Sequence, residues 1–284
     1  MRLRLLSLIV CALCFTQAVG AEQYALSVGN KDETRLEILN EVYNPYTFSL
    51  LNRSIQPGMT VLDVGCGTGI ISCEIAKLVG PLGKVTCVDI SSEQLRLAKQ
   101  RAEKEGLSNM EFVCLSAYDL HTMQRQFDAL YSRFLLINVR DPIAVIDQFL
   151  AHVRPNGVVI LEEAVGIKNI DTYPEEQRVL KAYCKMIEKQ MQIQKSDFST
   201  GKFLPGILQS KRWTIHYENL MHPILKTARE KSLLRLGVES LLPQLNDASD
   251  IEDAKEAVAL LRQIEEKEIP VPYFEVMQII ARRK

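Results

Sequence analysis

A chain of 284 residues can bury a full core, either as one large α/β domain or as a core domain with an appended cap. Its 47% hydrophobic and 24% charged residues are those of an ordinary globular protein. A formal net charge of −1 leaves no electrostatic argument for nucleic acid or an anionic membrane as the main partner, and Arg282-Arg283-Lys284 reads as a solvated end.

Residues 1–21, MRLRLLSLIVCALCFTQAVGA, set Arg2 and Arg4 before an apolar run from Leu5 to Phe15, followed by the small residues Ala18, Gly20 and Ala21. That order predicts a secretory signal peptide cut after Gly20 or Ala21, with an apolar docked helix or an early start as the alternative. The run falls short of the about 20 apolar residues of a membrane span, so no stable span is expected. A leader would mean export or tethering. The cysteines point the other way: beyond Cys11 and Cys14 an odd five remain, mostly in segments that read as core. They behave as small hydrophobes rather than a disulfide framework, which keeps a cytoplasmic location open.

Residues 34–54 read as a helix interrupted near Asn44-Pro45. Strand and helix then alternate. VLDV (61–64) is a short buried strand, and 70–79 a helix stopped by Gly80-Pro81. KVTCVD (84–89) is the second strand. Ser91 with Gln94 forms a capping box that opens a helix to about Glu105, stopped at Gly106. EFVCL (111–115) and FDALY (127–131) are the third and fourth strands. Asp141-Pro142 is an N-cap with proline in the first turn of a helix carrying Ile143, Ile146, Phe149, Leu150 and Val153. VVIL (158–161) is a fifth strand. Beyond Glu163 the rhythm breaks into an amphipathic helix over 174–194, a strand over 211–220, a helix over 250–266 and a closing strand over 273–281.

This alternation predicts an α/β fold: a doubly wound, mostly parallel sheet with helices on both faces. The later helices, about 168–198 and 224–268, are expected to cap the ligand edge of the sheet. Ligands of such sheets bind at the carboxyl ends of the strands, where the strand order reverses.

The loop VGCGTGI (64–70) sits at such an end. A dinucleotide fingerprint requires glycine at 65, 67 and 70, but position 70 is Ile and the third glycine is Gly69. No Lys-Ser/Thr follows, so a triphosphate loop is excluded. Asp63 just upstream disfavours a pyrophosphate, whereas a ligand with an ammonium and a sulfonium removes that objection. Asp89, 20 residues after Gly69, stands where a carboxylate takes the hydroxyls of a ribose.

VLDVGCGTG, VTCVDIS, FVCLSAYDL, FDALYSRFLLINVRDP and RPNGVVILEE, in that order over about residues 58–165, together resemble the class I S-adenosylmethionine-dependent methyltransferases. The likeness is to the small-molecule branch that includes quinone-biosynthesis methyltransferases. It implies a Rossmann-like fold with a seven-stranded sheet, an N-terminal helical segment over 22–57, and a methyltransferase domain over 58–284. It also implies S-adenosyl-L-methionine as cofactor. Gly65, Gly67 and Gly69 would admit the methionine part and ribose, with Asp63 near the amino group or ordering the loop. Asp89 would take the ribose hydroxyls and Ile90 would pack on adenine, bordered by Ser116, Ala117 and Tyr118. Many relatives carry Asp where this chain has Ser116, and Asp119 is a candidate substitute.

Methyl transfer from a sulfonium chiefly requires alignment and exclusion of water, so the lack of an obvious triad does not count against catalysis. Two catalytic candidates follow. Arg133 would position the cofactor carboxylate or an anionic acceptor, unless it is a surface arginine paired with an acid. Glu163, ending strand five, would be a base or a polar anchor, unless Glu162-Glu163 is a solvated turn. Tyr24, Tyr43 and Tyr46 are candidate aromatic walls over the cofactor. His121, His216 and His222 are too scattered for a metal site. The expected activity is methyl transfer to a small-molecule acceptor. A catalytically silent cofactor-binding protein and a nicotinamide oxidoreductase are the rival readings.

Overall fold

The computed structural model describes residues 33–167 and 176–283. The segment read as a leader, and Tyr24, lie outside the described residues. Helix α1 spans Glu33–Leu51 and is continuous through Pro45, where an interruption was expected. Burial of Ile38, Tyr43, Leu50 and Leu51 against the rest of the molecule outweighs the local cost of the proline.

Seven strands form one sheet in the order β3-β2-β1-β4-β5-β9-β6. These are β1 (Thr60–Val64), β2 (Lys84–Asp89), β3 (Met110–Cys114), β4 (Phe127–Arg133), β5 (Val153–Gly166), β6 (Trp213–Met221) and β9 (Glu275–Arg283). The first five pair in parallel, and β9 is antiparallel to both β5 and β6. The sheet is thus mostly parallel and flanked by helices, as the alternation predicts. A small pair, β7 (Ile224–Leu225) with β8 (Val271–Pro272), stands apart.

The central strands are buried on both faces, so consecutive residues enter opposite cores. Val61 packs with Leu50, Ile71 and Ile75, whereas Leu62 packs with Phe149, Leu161 and Trp213. Helices α2 (Ile70–Val79), α3 (Ser92–Lys104) and α4 (Pro142–Ala151) supply the flanking layers. Asp141 caps α4 by accepting from the Ala144 N–H at 2.9 Å, with Pro142 at the first turn.

A third core joins α1 to α5 (Gln177–Gln194), α7 (Ala228–Leu241) and α8 (Ala248–Glu266). The short α6 (Leu204–Ser210) packs instead on the sheet through Leu204 and Leu208. Neither α6 nor α7 has a helix of its own in the sequence reading. Among the described residues no helix is long and apolar enough to cross a membrane. The five described cysteines are free thiols. Cys73 and Cys87 are buried, but Cys114 at the end of β3 is exposed.

Candidate functional site

Strand order reverses between β2 and β4, on either side of β1, and the loop leaving β1 opens at that point. Gly65, Gly67 and Gly69 all adopt positive φ, at 76°, 53° and 76°. A Cβ on Gly69 would lie 2.7 Å from the Cβ of Ala98 in α3, so this glycine permits close helix–loop packing. A Cβ on Gly67 would meet nothing within 4 Å, and the open space beside it belongs to a cavity.

The loop is tied to the end of β2. Asp89 accepts from the Gly67 N–H and from the Ser91 N–H, both at 2.9 Å. Burial raises its carboxyl above the ordinary range, with those N–H groups opposing the shift. Asp63 is 2% exposed, and its Oδ2 accepts from Ser72 Oγ of α2 at 2.5 Å. Burial pushes Asp63 up to about 7, against the pull of Ser72 and then Arg133.

The cavity, about 240 Å3, runs from the glycine loop under α1 to the cap helices. Its floor includes Asp63, Gly65, Cys66, Gly67, Tyr131 and Arg133. Its upper walls are largely aromatic, with Tyr43, Phe134, Tyr183, Phe198, Tyr273 and Phe274. Tyr43 donates to the Phe274 carbonyl at 2.9 Å and stands edge-on to Phe134 at 5.1 Å between ring centroids. Phe134, held at φ 54° just past β4, keeps its ring in that wall.

Arg133 lies in the cavity wall and, among the described residues, pairs with no carboxylate. Its Nη1 donates to Asn44 Oδ1 and Thr47 Oγ1 at 3.1 and 3.0 Å, and its Nη2 to Asn40 Oδ1 at 2.8 Å. The reading of Arg133 as an ion-paired surface residue is therefore corrected: its partners are three neutral oxygens of α1. Asn40, Asn44 and Thr47, at spacings of four and three, form one face of that helix. That polar stripe is legible in the sequence as Asn40, Asn44 and Thr47.

Glu163 is also corrected. Strand β5 continues to Gly166, so Glu163 does not end it. Its side chain passes to the face opposite Arg133, because adjacent strand residues point to opposite sides. There it is buried, outside the cavity lining, and accepts from the Leu136 N–H at 2.7 Å. Burial pushes it up to about 8, against the backbone N–H groups of residues 135–137. Glu162 is the carboxylate on the Arg133 face of the sheet; it too is buried and outside the cavity lining, and it accepts from Tyr131 Oη at 2.8 Å, Thr47 Oγ1 at 3.0 Å and Gln278 Nε2 at 2.8 Å.

The remaining candidates stand at the ends of β2 and β3, outside the lining of this cavity. Ile90 is 38% exposed. Ser116 Oγ accepts from the Tyr118 N–H at 3.3 Å, capping the turn that Ala117 begins, and Tyr118 Oη accepts from the Asp141 N–H at 2.9 Å. Asp119 is exposed. Of the tyrosines, Tyr43 reaches the cavity, whereas Tyr46 is 44% exposed and does not. His121 and His216 are exposed, and His222 bonds Glu275 at 2.7 Å. No group of three or more candidate metal ligands occurs among the described residues.

Residues 55–229 match the family described as a methyltransferase domain. Demethylmenaquinone methyltransferase of Oceanobacillus iheyensis is 36% identical over 110 residues, covering 39% of this chain and 46% of its own. The Lactococcus lactis protein of the same name is 26% identical over 202 residues, 63% of this chain and 78% of its own. The chain thus spans about half the length of the first relative and more of the second. Among solved structures, a putative methyltransferase from Bacillus halodurans superposes with a TM-score of 0.56 at 15% identity, over 82% of this chain and 96% of its own. That likeness is one of fold.

Proposed function

The chain belongs to the methyltransferase domain family, and from that premise we propose that it transfers a methyl group from S-adenosylmethionine to a small, largely apolar acceptor in the capped cavity. One observation carries the reading. The glycine loop, fastened to Asp89 at the reversal of strand order, opens on a cavity whose far walls are aromatic. The space beside Gly67, which a Cβ would partly fill, fits a ligand laid against the backbone.

When bound, the cofactor supplies a methyl on an already activated carbon, and the protein's part is alignment and exclusion of water. Asp63 and Asp89 offer carboxylates on either side of the loop, for an ammonium and for ribose hydroxyls. Burial favours the neutral form of Asp63, and a nearby cation favours its ionised form, so an arriving ammonium would drive a proton off this carboxyl. Arg133 spends three N–H bonds on α1 and keeps two for a carboxylate or an anionic acceptor. Ile90 would pack on adenine, with Ser116, Ala117 and Tyr118 at its border.

Tyr43, Tyr183, Tyr273 and Phe274 close the acceptor end with flat apolar surfaces, which suits a ring-bearing acceptor. Tyr131 is a poor base, because burial and then the Glu162 charge hold its phenol well above the ordinary range. Acceptors that are already nucleophilic, or that ionise readily, suit such a site best. The names of the curated relatives, both demethylmenaquinone methyltransferases, support a quinone-like ring as the first acceptor class to try.

The test is incubation with methyl-labelled S-adenosylmethionine and a panel of phenols and reduced quinones, alongside calorimetry with S-adenosylhomocysteine. Binding together with label in an extractable product is the expected result. Binding without transfer to any acceptor would instead favour a silent cofactor-binding protein.

A further inference from the structure

Three glutamine amides join α5 to the end of α7 in one directed chain. Gln190 and Gln194 stand one turn apart on α5, and Gln244 follows Ser240 by one turn past the end of α7. Gln190 Nε2 donates to Gln194 Oε1 at 3.2 Å, Gln194 Nε2 to Gln244 Oε1 at 3.3 Å, and Gln244 Nε2 to the Ser240 carbonyl at 3.2 Å.

The direction of this chain is set at its far end. A carbonyl in the last turn of a helix lacks a helical donor and can only accept, so Ser240 draws the nitrogen of Gln244 and not its oxygen. The Gln244 oxygen is thereby turned to Gln194, and the Gln194 oxygen to Gln190. Reversing any one amide would set oxygen against oxygen or nitrogen against nitrogen. Gln190 closes the chain at the cavity wall, half-buried, where its Oε1 accepts from no described residue. Ser240 lines the same cavity, and its hydroxyl donates its one proton to the Gly237 carbonyl at 2.8 Å, so that oxygen too can only accept. These oxygens interrupt a wall of aromatic rings, Tyr183 and Tyr273 among them. A ligand O–H satisfies such an acceptor, whereas a ligand bringing only ether or carbonyl oxygens leaves it unpaired.

We propose that Gln190 is a specificity-determining residue for the methyl acceptor, its amide oxygen taking a hydrogen bond from a hydroxyl on the acceptor ring. Gln194 and Gln244 are positioning residues that keep this oxygen turned to the cavity. The proposal rests on the reading of the capped cavity as the acceptor site. It narrows the acceptor to a ring with a free hydroxyl, a phenol or a hydroquinone rather than a quinone or an aryl ether.

Anaerobic calorimetric titration of the full chain with 1,4-dihydroxynaphthalene and with 1,4-dimethoxynaphthalene, in the presence of S-adenosylhomocysteine, tests it. The parent should bind the diol about fivefold more tightly than the diether. Gln190→Leu should weaken the diol about fivefold and leave the diether within about twofold. Gln244→Leu lies outside the cavity lining, yet should weaken the diol about threefold at unchanged affinity for the diether, because the Gln190 oxygen is no longer held. Equal losses for the two ligands would mark a merely structural role and overturn the proposal, as would an unchanged affinity for the diol in Gln190→Leu. Loss of the diether alone would place the contact on the amide N–H and overturn it as well. An effect of Gln190→Leu without one of Gln244→Leu would remove the positioning roles. If the parent binds S-adenosylhomocysteine but neither naphthalene, the acceptor class is wrong and this proposal falls with it. If S-adenosylhomocysteine does not bind either, the methyl-donor reading itself fails.

Discussion

Arg133 and Glu162 stand opposite each other in the β4–β5 register, yet the hydroxyl of Thr47, rather than an ion pair, joins them. Thr47 Oγ1 accepts from the Arg133 guanidinium at 3.0 Å and donates to Glu162 Oε2 at 3.0 Å. The carboxylate takes two further donors, from Tyr131 and Gln278, so a buried charge is met from three elements. Asp63, Tyr131, Arg133 and Glu162 lie on one face of the sheet, by strand alternation and by the pairings of Asp63 with Tyr131 and of Arg133 with Glu162. Helix α1 closes this array through Asn40, Asn44 and Thr47. The orientation of the cavity's only described guanidinium besides Arg35 is thus fixed by the segment that also roofs the cavity.

Thr47→Val removes the shared hydroxyl at nearly constant shape. One N–H of Arg133 and one oxygen of Glu162 lose a partner in a buried setting, and the expected cost is about 2 kcal/mol of stability. Urea unfolding at neutral pH measures it. Because Arg133 also loses orientation, methyl-transfer kcat/KM should fall about tenfold. A variant with parental stability and activity would refute the network.

The pH dependence of stability has a definite sign. Burial raises Glu163 from 4.5 to about 8 and Asp63 from 3.8 to about 7 in the folded chain. Between the unfolded and folded values the folded state holds more protons than the unfolded state. The stability due to these groups is therefore complete below about pH 4 and is lost as pH rises through about 7 and then 8. Glu163→Gln keeps an acceptor for the Leu136 N–H and cannot ionise. Its urea midpoint should fall less than the parent's between pH 6 and 9. Equal slopes would show that Glu163 does not titrate in this window.

Asp63 also ties pH to ligand binding. An ammonium beside it favours the ionised carboxylate, so the affinity for S-adenosylhomocysteine should rise as pH increases from 6 to 8. The rise should vanish in Asp63→Asn, which keeps the bond from Ser72 Oγ. Calorimetry in buffers of different ionisation enthalpy would also register the released proton.

The strand–helix alternation was legible because its signals are local. Gly80 ends α2, Ser91 caps α3 and Asp141-Pro142 opens α4, each by chemistry within four residues. What escaped was set by partners distant in sequence. Glu162 and Glu163 are alike as letters, and only the register of β5 against β4 sends one to Arg133 and the other to Leu136. Pro45 marks a break by propensity, but the tertiary burial of α1 overrides it. Gln94 satisfies the capping-box spacing, yet Ser91 Oγ accepts from the Gln94 N–H without a return bond from the glutamine oxygen. Helix α7 carries local signals of its own, Leu234, Val238 and Leu241 at spacings of four and three behind a capping box of Thr227 with Glu230, so it was legible within the broader cap segment.

The loop glycines should separate by experiment. Gly69→Ala places a Cβ 2.7 Å from Ala98 Cβ and 3.0 Å from its Cα, at a φ that L-residues rarely adopt. A loss of about 3 kcal/mol is expected, and Ala98→Gly in the same chain should recover only the steric part. Gly67→Ala shares the unfavourable φ but meets nothing within 4 Å. It should cost about 1 kcal/mol in thermal unfolding while weakening S-adenosylhomocysteine at least tenfold, because its new methyl group occupies the ligand's approach. Equal affinities for Gly67→Ala and parent would remove the ligand from that surface.

Gly237 tests the other end of the cavity. It lies in α7 and lines the cavity, and a Cβ there would meet only Tyr183 Oη, at 3.9 Å. Gly237→Ala should therefore stabilise the helix by about 0.5–1 kcal/mol, since alanine restrains the unfolded chain and fits without displacement. Gly237→Phe projects a ring into the space under Tyr183 and Tyr273. If the acceptor sits against these cap aromatics while the cofactor sits against the glycine loop, the phenylalanine obstructs one ligand only. The acceptor KM should then rise at least tenfold while the Kd for S-adenosylhomocysteine stays within about twofold. Loss of both affinities would mean that the cofactor reaches the cap, and the division of the cavity into donor and acceptor ends would fail. Retention of both, in a variant that melts like the parent, would place the acceptor outside the capped space.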